Sequence, residues 1–243
     1  MEKVALEVPE AMGAMMFESS FSKLICFFAL FLLLLSSSLV FSAEEDSKFT
    51  IVRLKYSGGG DWYSNPSSLY NLLRELRRRC NVGTARRSVV MSLKDDRIFY
   101  HPLMYMTGHG NVRFDSRERE RLRAYLEHGG FLWADDNYGM DESLRRELKA
   151  VFPDNPMVEL PFDHPIYSTV YEFSAGLPKI HLHDGGAAKG LGIFVDGRLA
   201  VFYSYNTDIG DGLEDPDVHN DPPEKREAAM KMAINIVSYV LSH

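Results

Sequence analysis

The chain has 243 residues, a formal net charge of −7, 45% hydrophobic residues and 25% charged residues, ordinary values for a globular protein that can bury a core without staples. The acidic balance argues against a nucleic-acid-binding surface, and the arginine groups at 77–79, 86–87 and 117–123 read as solvated helix faces. The two cysteines, Cys26 and Cys80, exclude a disulfide framework in the exported part and a cysteine metal site.

Residues 1–42 read as an export segment. Lys23 precedes 24-LICFFALFLLLLSSSLVF-41, an apolar run without charge, and Val40-Phe41-Ser42 stands ahead of an expected cleavage before Ala43. The run is also about long enough to span a bilayer as an uncleaved anchor, in which case 24–41 supplies the membrane contact. Either way residues 43–243 are expected as a single α/β domain outside the cytoplasm, periplasmic or membrane-anchored. Removing 1–42 takes away four acids and two bases and leaves a charge of −5.

Residues 49-FTIVRLKY-56 have the short apolar pattern of a buried strand. The glycine loop 58–60 follows, and Asn65-Pro66 reads as the start of a helix. Leu69, Leu72, Leu73 and Leu76 then form one core-facing stripe. Strands are expected at 88–93 and 103–107. Asp115 and Glu118 form a capping box for a helix that ends at Gly129-Gly130. The strand 131-FLWA-134 runs into Asp135-Asp136-Asn137, and Asp141 opens a short helix. From 157 to 189 the pattern is irregular. Asp196-Gly197 between two apolar runs is a hairpin signal. The polar stretch 206–223 reads as a solvated, flexible lid. A last helix follows, capped by Asp221 and Glu224, with Ala229, Met232, Ala233, Ile236, Val237 and Val240 on its apolar face. Strands alternating with helices predict a three-layer, flavodoxin-like α/β sheet with a β-hairpin insertion.

In open α/β sheets the site lies outside the carboxyl ends of the strands. Those ends carry Gly58-Gly59-Gly60-Asp61-Trp62, Gly108-His109-Gly110-Asn111, Asp135-Asp136-Asn137 and Tyr203 to Asp208. A phosphate loop needs a lysine and a Ser/Thr after the glycines. Asp61 stands there instead, so Gly59, Gly60, Asp61 and Trp62 read either as a ligand wall or as a glycine turn with a capping acid. Asp135 and Asp136 occupy a strand-to-helix elbow that lacks a serine or cysteine. With His109 they are the candidate acid–base residues, and a helix cap with a solvated neighbour is the plainer alternative. His181 and His183, two apart, are the candidate metal ligands, with a third donor from His109, His164, Asp184 or His219. Asn137, His164, Tyr205 and Asp208 complete the candidate ligand-binding set.

The ordered motifs G-G-G-D-W-Y-x-N-P, G-H-G, G-G-F-L-W-A-D-D-N, D-H-P-I-Y, L-P-K-I-H-x-H-D-G, G-L-G-I-F-x-D-G-R-L-A-V-F-Y-S-Y-N-x-D-x-G-D-G and H-N-D-P-P-x-x-R span residues 48–243. In these the chain resembles an uncharacterised bacterial family, domain of unknown function 4159. The resemblance implies a class I glutamine amidotransferase-like sheet. It carries over no reaction, and the cysteine of those enzymes is absent from the elbow. Two functions are therefore expected to compete. One is a ligand-binding or envelope-complex domain for a small molecule or glycan, with Trp62, Tyr63, Trp133, Tyr138, Tyr203 and Tyr205 near the polar strand ends. The other is a non-cysteine, Asp/His-based, metal-assisted hydrolase. No particular cofactor is implied.

Overall fold

The computed structural model describes residues 48–183 and 185–243; residues 1–47, which include the expected export segment, and Asp184 lie outside the described residues. The strands are β1 (Val52–Leu54), β2 (Val89–Met91), β3 (Leu103–Gly108), β4 (Phe131–Asp136), β5 (Val158–Glu159), β6 (Lys189–Val195) and β7 (Arg198–Tyr205). The helices are α1 (Ser68–Cys80), α2 (Ser116–Glu127), α3 (Asp141–Val151), α4 (Ile209–Gly212), α5 (Pro216–His219) and α6 (Pro223–Ser242), with short 3-10 turns at Asp96–Tyr100 and Pro165–Tyr167.

The seven strands form one sheet in the order β2-β1-β3-β4-β7-β6-β5. Strands β2, β1, β3, β4 and β7 are parallel. Their spatial order follows the 2-1-3-4-5 pattern of one common doubly wound sheet. β6 runs antiparallel between β7 and β5, which is the hairpin foreseen at Asp196-Gly197. Both turn residues have positive φ, 49° and 80°, as a type I′ turn requires.

Each parallel strand is apolar on both faces because both faces are covered. Met104, Met106, Leu132, Ala134 and Val201 pack with Leu122 and Leu126 of α2 and Leu144 and Leu148 of α3. On the other face Leu103, Tyr105, Phe131, Trp133 and Phe202 pack with the leucine stripe of α1 and with Ala233, Ile236 and Val237 of α6. This is the three-layer α/β architecture expected from the alternation of elements. Among the described residues no helix is long and apolar enough to cross a membrane.

Three local expectations need correction. The first helix starts at Ser68 rather than Pro66, because Asn65 has φ 57° and an N-cap needs extended backbone. Its free amides at Ser67 and Ser68 donate instead to Glu214 Oε1, at 2.9 and 2.8 Å. The last helix has no side-chain cap; Asp221 pairs with His181. The polar stretch after β7 is no solvated lid in its first half. Ile209 and Leu213, four apart, sink into the core and carry Asp208, Asp211 and Glu214 into buried positions.

Candidate functional site

Strands β1, β3, β4 and β7 are parallel, so their carboxyl ends share one edge, and the loops that follow them gather the polar side chains. Gly60 and Gly108 set how closely the first two loops approach. A Cβ on Gly108, whose φ is 138°, would lie 2.9 Å from the Asp61 carbonyl oxygen, and one on Gly60 would lie 2.8 Å from the His109 carbonyl oxygen. Gly60 N donates to Asn111 O at 3.1 Å and Asp61 N to His109 O at 3.2 Å. The glycine loop is thus spent on packing against 108–111.

That packing builds a dyad. Asp61 Oδ1 accepts the His109 amide. Its Oδ2 accepts from Ser64 Oγ at 2.8 Å and lies 3.0 Å from His109 Nδ1. Burial alone would raise the Asp61 pKa, but the His109 amide, Ser64 and the His109 ring outweigh it and hold the carboxyl below its ordinary value. The His109 side chain is 53% exposed, and its Nε2 has no hydrogen-bond partner among the described residues.

Asp135 and Asp136 both lie inside β4, not beyond it. Neighbours on a strand point to opposite faces, so the two carboxylates do not form a pair. Asp135 is fully buried. Its Oδ1 meets Ser204 Oγ at 2.5 Å and Thr207 Oγ1 at 3.2 Å, and its Oδ2 accepts Gly210 N at 2.6 Å. Burial pushes its pKa up to about 8 against those hydrogen bonds, and the charges of Asp208 and Asp211 add to the rise. Asp136, also buried, accepts Tyr138 N at 3.1 Å, and burial raises its pKa as well. Asn137 receives Asn65 Nδ2 at 3.4 Å and donates to Asp211 Oδ1 at 3.0 Å, stitching three loops together.

Beside β7 three histidines meet two buried acids. His181 Nδ1 lies 3.1 Å from Asp211 Oδ2 and 3.5 Å from Asp208 Oδ2. His183 Nε2 lies 2.5 Å from Asp208 Oδ2, and His219 Nε2 lies 3.8 Å from Asp211 Oδ2. The other side of the His181 ring faces Asp221, with Nε2 at 3.0 and 3.1 Å from its two oxygens. Asp208 and Asp211 raise the His181 pKa to about 10. In turn His181 and His219 hold Asp211 below its ordinary value, against the upward push of burial. Two groups, His181–His183–Asp208 and His181–Asp211–His219, have donor atoms close enough together to hold a metal ion.

Of the sequence-derived site residues, Gly59, Gly60, Asp61, Trp62, His109, Asp136, Asn137, His181, His183, Tyr205 and Asp208 all lie on loops or strand ends of this edge. Trp62 is half-buried under Lys55, whose Nζ sits 5.3 Å from the ring centroid. Tyr205 faces Arg145. Asp135 belongs to the edge but is sealed beneath α4. His164 is elsewhere: its ring lies against Phe194 and Tyr239, near the start of β7 at the opposite edge, and its Nδ1 accepts Ile166 N at 3.2 Å. Of the third donors considered for a metal, His219 joins the cluster, His109 pairs with Asp61, and Asp184 lies outside the described residues. The sequence reads Asp221 as a helix cap and Asp211 and Glu214 as part of a solvated lid that fails the calcium-loop spacing, not as site residues. The signal for two of them is Ile209 and Leu213 four apart among acids, which marks one buried helical turn.

A comparison with curated proteins finds no match. Residues 50–241 match the family described as Domain of unknown function (DUF4159), most of the chain and nearly all of the fold described above, and the chain belongs to that family.

Proposed function

We propose that this edge binds a small uncharged ligand, carbohydrate or cell-envelope in kind. The observation that carries the reading is an aromatic surface next to fixed polar groups. Tyr63 and Tyr138 are 64% and 54% exposed, the first lying two residues after Asp61 of the dyad and the second tilted against His183 with centroids 5.0 Å apart. Exposed rings beside carboxylates suit a polyhydroxylated molecule, apolar on one face and hydroxylated at its rim. The excess of acids, with Asp61, Asp136, Asp208 and Asp211 on one edge, disfavours phosphates and other anions. An exported position and an envelope partner accord with the apolar run at 24–41.

The test is a thermal-shift screen against neutral oligosaccharides and cell-wall fragments, with Tyr138→Ala as control. A shift that the variant loses supports the reading; no shift with any member of the screen overturns it. The Asp61–His109 dyad favours a second reading, a non-cysteine hydrolase. A carboxylate on Nδ1 fixes the imidazole and leaves Nε2 to take a proton from water. This reading expects His109→Gln to abolish turnover of a bound fragment without lowering the melting temperature.

A further inference from the structure

The histidine cluster beside β7 has a feature that hydrogen bonding leaves unexplained. Asp208 is 1% exposed, and neither of its oxygens accepts a hydrogen bond of proper geometry, although His183 and His181 nitrogens stand 2.5 and 3.5 Å from Oδ2. A buried carboxylate that two imidazoles approach but that accepts no well-aligned hydrogen bond is costly, on the order of a few kcal/mol. Asp208 also adopts φ 56°, a left-handed conformation that an aspartate tolerates but does not prefer. The fold thus holds this side chain inward against two local costs.

Three of the surrounding groups stand close enough together to act as donors to one ion. His181, His183 and Asp208 have ligand atoms within 4.8 Å of one another, with His183 Nε2 and His181 Nδ1 at 2.5 and 3.5 Å from Asp208 Oδ2. Asp211, 3.1 Å from His181 Nδ1, belongs to a second, overlapping triad with His219. Donors at the corners of a tetrahedral site with bonds of about 2.0 Å stand about 3.3 Å apart; the His181–Asp208 separation is near that value, and His183 and Asp208 would move apart by just under ~1 Å to admit the ion. His219 Nε2, 3.8 Å from Asp211 Oδ2, belongs to that second triad. The far sides of the donors are already committed. His181 presents Nε2 to Asp221, so a cation that displaces the Nδ1 proton meets a ring already oriented. Asp211 Oδ1 accepts from Asn137 Nδ2, and Oδ2 faces His181. The His183 ring is backed by Tyr138. Carboxylate or amide groups behind metal ligands, fixing their tautomer and orientation, are the usual outer shell of a metal site.

We propose that His181, His183 and Asp208 bind one divalent cation of the zinc class, with Asp221 as a positioning residue behind His181. The mixed imidazole and carboxylate set suits zinc, cobalt or nickel, whereas calcium and magnesium take oxygen ligands. The cation offsets the charge of Asp208, which relieves the crowding of acids on this edge. The centre stands apart from the identity of any ligand: a protein that binds metal but shifts with no glycan would remove the ligand reading and leave the centre intact.

The experiment uses the full chain, stripped with a chelator and titrated with Co²⁺ and Zn²⁺ by calorimetry and visible absorption. The expected result is one ion per chain, a cobalt d–d band that Zn²⁺ abolishes, and no competition from Mg²⁺ or Ca²⁺. Asp208→Asn should weaken binding at least a hundredfold and Asp221→Asn ten- to a hundredfold. His183→Gln provides the same reading if Asp208→Asn fails to fold. The proposal is overturned if the folded protein gives no saturable Zn²⁺ binding. It is equally overturned if the binding is weak, exceeds one ion per chain, or is unchanged in Asp208→Asn and His183→Gln.

Discussion

Asp135→Asn separates structure from chemistry at the end of β4. Asp135 is sealed among Ser204, Thr207 and Gly210, and its pKa rises from 3.8 to about 8 through burial. Its short contact with Ser204, 2.5 Å, fits a protonated carboxyl donating to Ser204 Oγ, which frees the serine hydrogen for Ala134 O at 3.2 Å. Asparagine can repeat this pattern, with Nδ2 toward Ser204 and Oδ1 toward Gly210 N. The sign follows from linkage. The folded pKa is raised, so the folded state binds the proton more tightly. Its relative stability is therefore fully present below pH 4 and lost as pH rises toward 8. The loss is about 1.4 kcal/mol per pH unit in that window, or about 4 kcal/mol between pH 5 and pH 8. The asparagine variant lacks it, and the other titrating groups are shared. Urea unfolding of both proteins at pH 5, 6, 7 and 8 should show the variant gaining on the wild type at each step and levelling off above pH 8. Parallel stability curves across this range would refute the assignment of a neutral, buried Asp135.

Gly108→Ala should cost about 3 kcal/mol in chemical denaturation, because a Cβ at φ 138° meets Asp61 and Tyr56. A loss below 1 kcal/mol would show that the β1 and β3 loops yield easily. Glu214→Ala removes the acceptor for two amides at the start of α1 and should cost about 2 kcal/mol, whereas Glu214→Gln, which keeps an acceptor oxygen, should recover about half; equal losses in urea melts would count against the capping role. Arg53→Leu should cost about 3 kcal/mol. The buried guanidinium donates to Ser64 O, Asn65 O and Ser68 Oγ, and the apolar replacement leaves those acceptors unsatisfied.

Much of the fold was legible in the chain. The leucine stripe of α1, the Asp115–Glu118 capping box and the Asp196-Gly197 turn each depend on residues a few positions apart, and each formed as its spacing required. The alternation of strands with helices determined a parallel sheet covered on both faces, and that in turn placed four polar strand ends on one edge. What only the tertiary structure decided are contacts between groups far apart in sequence. Glu214 caps α1 from 146 residues away, so local capping rules pointed to Asn65 instead. Asp221 is a plausible cap for α6 by spacing, yet it faces His181, 40 residues earlier. The stretch from 206 to 215 is polar enough to read as solvated, but Ile209 and Leu213 have enough apolar surface to pull its acids under the sheet edge. A side chain's neighbours along the chain govern its backbone conformation. Its neighbours in space govern whether it is solvated, paired or left with open donor atoms, and those were set by the packing of α4 and the loop at 177–188 against β7.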